Sequence, residues 1–155
     1  MVNGFPYLGK DDARPRPASL LLGEHVVLTL MQPHLDKGRN VTTDNFFTSL
    51  RLAKQLLARK TTLVGTMRKD KRELPHRPEE STPELYSSQL WRHEKAIHTM
   101  YQGKKDITVN VLSTQHNHVE ITSVKKRPDT VAYYNVTKVG VDILDQMARL
   151  YSVKG

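Results

Sequence analysis

Three carboxylates in this 155-residue chain are placed where they could hold a divalent metal. Asp44 closes a short β-branched run and opens an amphipathic stretch. Asp142 and Asp145 stand three residues apart, which on a helix puts both side chains on nearly one face. Carboxylates on a strand end and a helix suit Mg²⁺ or Mn²⁺, hard ions that take oxygen ligands. Two such ions can activate an attacking oxygen and stabilise a leaving one in phosphodiester chemistry. The same residues have plainer uses: Asp44 is a good N-cap for a helix over residues 45–60. Asp142 and Asp145 also suit the early turns of a helix, where negative charge meets the macrodipole. Residue types alone leave both readings open.

Charge adds a second theme. The net charge is +8, and nearly all the excess lies in residues 51–77, which hold nine Lys/Arg against Asp70 and Glu73. Such a concentration can supply salt-dependent phosphate contacts, and Lys54, Arg59, Arg68, Lys69, Lys71 and Arg72 are the candidates for DNA binding. A solvated helix face followed by a basic hairpin is the alternative. With no cysteine there is no disulfide, thiolate nucleophile or Cys-based zinc site. No apolar run approaches the roughly 20 residues of a membrane span. Among the histidines, His116 and His118 fall in a polar loop and His93 and His98 in a hairpin, and no further pair completes a metal site. The tetrad Lys125-Lys126-Arg127-Pro128 fits either a nuclear-import signal or a charged loop.

The elements that must position these residues alternate between β and α patterns. Residues 1–10 read as a short strand and 11–18 as a loop. Residues 20–35 fit a strand by β-branching and a helix by the apolar positions 26, 27, 30 and 31. A strand end at 40–44 leads into a helix striped by Phe46, Phe47, Leu50, Ala53 and Leu57. Residues 61–67 form a strand, and three prolines make 75–86 a loop. Residues 89–101 and 106–114 read as a hairpin around Gly103-Lys104-Lys105, whose core would include Trp91 and Tyr101. A polar connection over 117–129 precedes a helix from Thr130, with Val141, Leu144, Met147, Ala148 and Tyr151 as its stripe.

Several of these segments carry a family resemblance. Tyr134-Asn135-Val136-Thr137-Lys138-Val139-Gly140-Val141-Asp142-Ile143-Leu144-Asp145-Gln146-Met147 resembles the Y-N-x-T-K-x-G-V-D-x-L-D-Q-M signature of piggyBac-type transposases. Asn40-Val41-Thr42-Thr43-Asp44-Asn45-Phe46-Phe47-Thr48-Ser49-Leu50 resembles the segment holding that family's middle carboxylate. Asn3 to Gly9, Gly65 to Lys69 and Arg72 to Pro75 match in order, so the likeness spans almost the whole chain.

The resemblance implies an incomplete ribonuclease H-like fold of the α/β class, a mixed sheet flanked by helices with a small β-hairpin insertion. Residues 1–155 would be a partial catalytic domain with an insertion-like region at 75–129. It also implies an aspartate triad with two Mg²⁺ or Mn²⁺ ions, in which Asp44 matches the second member and Asp142 the third. Asp145 matches a further acidic position. The family's first aspartate and its strand, and its Cys-rich zinc module, have no counterpart here. The implied activity is that of a nuclear, transposon-derived DNA-binding remnant of a strand-cleaving transposase, not catalytically competent alone. The alternatives are a nuclease completed by a partner transposase chain, or by a second copy in a homodimer, and a fragment without function.

Overall fold

A β-branched run, a capped helix and a second β-branched run build the centre of the molecule. The computed structural model describes residues 17, 19–74, 83–122, 124–140, 142, 143 and 146. Strand β1 (Asn40–Thr43) lies parallel to β2 (Thr62–Thr66), in register from Asn40 opposite Thr62 to Thr43 opposite Gly65. Parallel neighbours need a crossover, and helix α2 (Leu50–Ala58) supplies it. Strand β5 (Ile107–Ser113) pairs antiparallel with β2, and β4 (Ala96–Lys104) and β3 (Ser88–His93) continue as an antiparallel meander. The five strands form one mixed sheet in the order β1-β2-β5-β4-β3.

Alternation of side chains sends successive residues to opposite faces, and each face has its own core. Leu63 of β2 and Leu112 of β5 meet Leu52, Ala53 and Leu56 of α2 and Val27 of helix α1 (Leu22–Met31). Their neighbours Val64 and Val111 turn the other way, onto Tyr101 and Val131. Val131 belongs to helix α3 (Asp129–Thr137), which rests on β2, β4 and β5. Leu52, Leu56, Leu63, Val64 and Val111 are fully buried, each contributing about 1.5–3 kcal/mol.

Several expectations change. The α1 segment is helical, which settles the ambiguity at 20–35. The helix expected over 45–60 begins only at Leu50, capped by Ser49, whose Oγ accepts from the Leu52 N–H. The residues before it form a tight turn, so the buried stripe is Leu52, Ala53 and Leu56, with Leu50 and Leu57 at its margins. The long strand read at 89–101 is two strands, because Glu94 adopts a left-handed turn conformation. The β4 strand also runs through Gly103 and Lys104, so the next reversal falls at Lys105-Asp106. The hairpin region is continuous with the central sheet through the β2–β5 pairing. The strand expected at 1–10 and much of the stripe expected beyond residue 140 lie outside the described residues.

One close approach fixes the β1–β2 pair. A Cβ on Gly65 would meet the hydroxyls of Thr43 and Thr48 and lie 2.7 Å from the Thr43 carbonyl. Gly65→Ala is therefore expected to destabilise the fold by about 1–3 kcal/mol. Gly140→Ala, at a site with nothing within 4 Å, should leave stability nearly unchanged. Chemical denaturation of the two variants checks the contrast.

Candidate functional site

Parallel strands end on the same side of a sheet, so the segments that follow β1 and β2 emerge side by side. After β1 the chain turns sharply. The Asp44 carbonyl accepts the Phe47 and Thr48 N–H groups at 3.1 and 3.0 Å. Thr48 Oγ1 also lies 2.8 Å from both Thr43 Oγ1 and the Asp44 carbonyl. The turn leaves the Asp44 side chain exposed, with Oδ1 accepting the Asn45 N–H. Among the described residues no cation pairs with it. Asp44 is thus not the cap of α2; Ser49 is.

The segment after β2 folds over this turn. Lys71 Nζ donates to the Thr48 carbonyl at 2.7 Å. Glu73 Oε2 accepts the Leu50 N–H at 2.9 Å, satisfying one of the donors a helix start leaves without an intrahelical partner. Between these anchors and β2, the Arg68 guanidinium stands 5.9 Å from the centre of the Phe46 ring, within cation–π range. Its Nε also reaches Asn45 Oδ1 at 3.5 Å. Arg68, Lys69 and Arg72 are exposed and have no ion pair among the described residues. Phe46 is 50% exposed, which leaves an aromatic face open beside a guanidinium.

The other nominated cations lie elsewhere. Arg59 precedes β2, at the opposite end of that strand from Arg68, and pairs with Asp36 at 2.6 Å. Its guanidinium hydrogen bond holds the Asp36 carboxyl below the usual value. Lys54 Nζ sits 3.0 Å from His93 Nε2 and 3.2 Å from Glu94 Oε1. Lys71 is spent on anchoring its loop. One basic window in sequence becomes two separated surfaces in space.

The carboxylates do not assemble into a metal centre among the described residues. Asp142 follows α3, with its N–H on the Lys138 carbonyl and its carboxylate 3.2 Å from Lys138 Nζ. Among the described residues no hydrogen bond or ion pair joins it to the Asp44 turn, and no group of three His, Asp or Glu could hold a metal ion. Asp145 lies outside the described residues. Two described carboxylates are too few to hold two metal ions, so no step is derived through a metal. The histidines are engaged instead: His98 stacks on Trp91 with centroids 5.2 Å apart and lies 3.2 Å from Asn110 Oδ1. His116 bonds Ser113 Oγ, and His118 pairs with Glu120.

Sequence reasoning missed Glu24. It is almost fully buried at the start of α1, where it receives hydrogen bonds from the Leu21 N–H, Ser49 Oγ and Arg51 Nε at 3.2, 3.0 and 2.9 Å, and from Arg51 Nη2. It thereby clamps α1 to the capped end of α2, next to the Asp44 turn. The only sequence signal is its place three residues after Leu21, half of a capping box; the Arg51 partner is not legible. Burial alone would raise the Glu24 pKa, but the hydrogen bonds from Arg51, Leu21 and Ser49 outweigh it and hold it below 4.5. A depressed carboxylate contributes stability that is present above its unfolded value and lost as pH falls through the folded one. Glu24→Gln is expected to cost about 1–2 kcal/mol at neutral pH. It should also flatten the fall in melting temperature expected of the unaltered chain as pH drops through the acid range where Glu24 is protonated. Thermal melts across that range check both.

Comparison with known proteins places this geometry. A family model described as transposase IS4 matches residues 1–155. The structure of a piggyBac transposase synaptic complex with hairpin DNA is similar over 96% of this chain, at 38% identity and a TM-score of 0.84. This chain spans 31% of that one. The mixed sheet with helices on both faces is accordingly a ribonuclease H-like arrangement.

Proposed function

We propose a function from one premise: this chain belongs to the transposase IS4 family, and within it to the piggyBac type. Its role is to bind duplex DNA along the carboxyl ends of β1 and β2, as a transposase-derived DNA-binding protein. The observation that carries this is the seating of Arg68 over Phe46 and beside Asn45, with Lys69 and Arg72 exposed on the same loop. Ligands of open α/β sheets bind outside the carboxyl ends of strands, and unpaired cations there can neutralise phosphates. The similar structure is a synaptic complex with hairpin DNA, which supports DNA as the ligand class here too.

Divalent-metal strand cleavage is the chemistry the family suggests. Asp44 is the described carboxylate best placed to take part, being exposed beside the cationic loop. Asp142 would first have to leave Lys138. Further carboxylates would have to come from outside the described residues or from a second chain, so assembly with another copy or a partner transposase belongs to this proposal. So does a nuclear site of action, where duplex DNA is available. The Lys125–Pro128 tetrad adds little support for an import signal, because Lys125 and Lys126 are held in left-handed turn conformations, not extended.

Changing Arg68, Lys69 and Arg72 together to Ala is expected to weaken duplex binding across sequences. The slope of log K against log salt should fall by about three units. Lys54→Ala with Arg59→Ala should leave that slope nearly unaltered. Equal losses in the two variants, read by fluorescence anisotropy at several salt concentrations, would sink the assignment.

A further inference from the structure

A second basic surface lies at the far end of the β4–β5 hairpin, and its chemistry differs from that of the Arg68 loop. There the hairpin turn and the loop before α3 enclose a cleft of about 490 Å³. Its wall is apolar and aromatic, formed chiefly by Tyr86, Tyr101, Ile107 and Val109. Lys104, Lys105, Lys125 and Arg127 stand around it, and among the described residues no Asp or Glu lines it. None of these four cations makes an ion pair among the described residues. Leu85 and Ile107 remain 52% and 53% exposed at the mouth.

The cleft is built and held in place. The Tyr101 hydroxyl donates to the Lys125 carbonyl at 2.6 Å. The loop is closed at its base by the Ile121–Pro128 bridge and by the Thr122 N–H on the Arg127 carbonyl at 2.9 Å. Lys125 and Lys126 adopt φ of 56° and 43°, a region that side chains other than glycine enter at a cost. That cost is met in a turn that sets Lys125 at the cleft.

We propose that this cleft docks an acidic peptide segment of a partner protein, with one large apolar side chain as its anchor. Charge complementarity identifies the acidic part: four cations with no ion pair among the described residues border one concavity and steer an anionic ligand. The wall identifies the anchor. Interfaces with DNA are more polar than interfaces between proteins, whereas a tyrosine- and aliphatic-lined concavity is the kind of pocket that seats an apolar hot-spot residue. The anchor packs against Ile107, Val109 and Tyr86 while flanking carboxylates meet the lysines. This inference does not depend on the DNA reading of the Arg68 loop.

The test uses the full chain and a short fluorescein-labelled peptide in which Asp and Glu flank Leu and Phe. Saturable binding is expected. It should weaken by about tenfold, the loss of one hot-spot contact, in Lys125→Glu and separately in Ile107→Thr. Lys95→Glu should leave it unchanged; it makes the same charge change in the β3–β4 turn, at the opposite end of the hairpin. The two cleft positions carry exposed side chains, and unaltered melting temperatures will confirm that both variants fold. Absence of saturable binding, or equal weakening by Lys95→Glu, overturns the proposal. So does duplex DNA that outcompetes the peptide and loses affinity in Lys125→Glu but not in Ile107→Thr, which would make the cleft a nucleic-acid surface.

Discussion

The parallel contact between β1 and β2 is the constraint from which the rest follows. It places Gly65 against the Thr43 and Thr48 hydroxyls, a gap that no side chain could share. Because the two strands point the same way, the turn at Asp44 and the loop at Arg68 leave the sheet together. The crossover this pairing demands is α2, and the start of α2 is where both loops are tied down: Lys71 on the Thr48 carbonyl, Glu73 on the Leu50 N–H, Glu24 on Ser49 and Arg51. A local packing requirement thus sets one carboxylate and one cationic loop side by side.

Position, more than pairing, separates the cations that can serve a polyanion from those that do not. Exposed ion pairs such as Arg59 with Asp36 or Lys54 with Glu94 are weak in water, so they are no great barrier to phosphate binding. What removes Arg59 from the candidate face is its place at the amino end of β2. Lys71 differs again, since its ammonium group holds the loop that displays Arg68 and Lys69. The cleft between the hairpin turn and the loop before α3 adds a second basic surface. There the cations border an apolar wall, which changes the class of ligand they suit.

Much of this was legible in the residues. The β-branched run ending at Asp44, the strand over 61–67 and the alternation of Ile107, Val109 and Val111 each became a strand. The motif resemblance carried the family, and the family carried the sheet with helices on both faces. What periodicity could not supply was tertiary. Phe46 and Phe47 share spacing with α2 yet lie before its Ser49 cap, because Thr48 spends its hydroxyl on the Asp44 turn. Glu24 looked like an ordinary helix residue, since its clamp depends on Arg51, 27 residues away. The basic window looked continuous because a strand that separates two groups in space keeps them close in sequence.

We propose the carboxyl ends of β1 and β2 as the DNA-facing surface. Backbone amide shift mapping of the labelled chain, titrated with a short duplex, tests it most directly. The largest shifts are expected on residues 44–48 and 67–72, with residues 36–39 and 59–61 little moved. Shifts concentrated at the Asp36–Arg59 end of the sheet, or around Lys104 and Lys125, would contradict it.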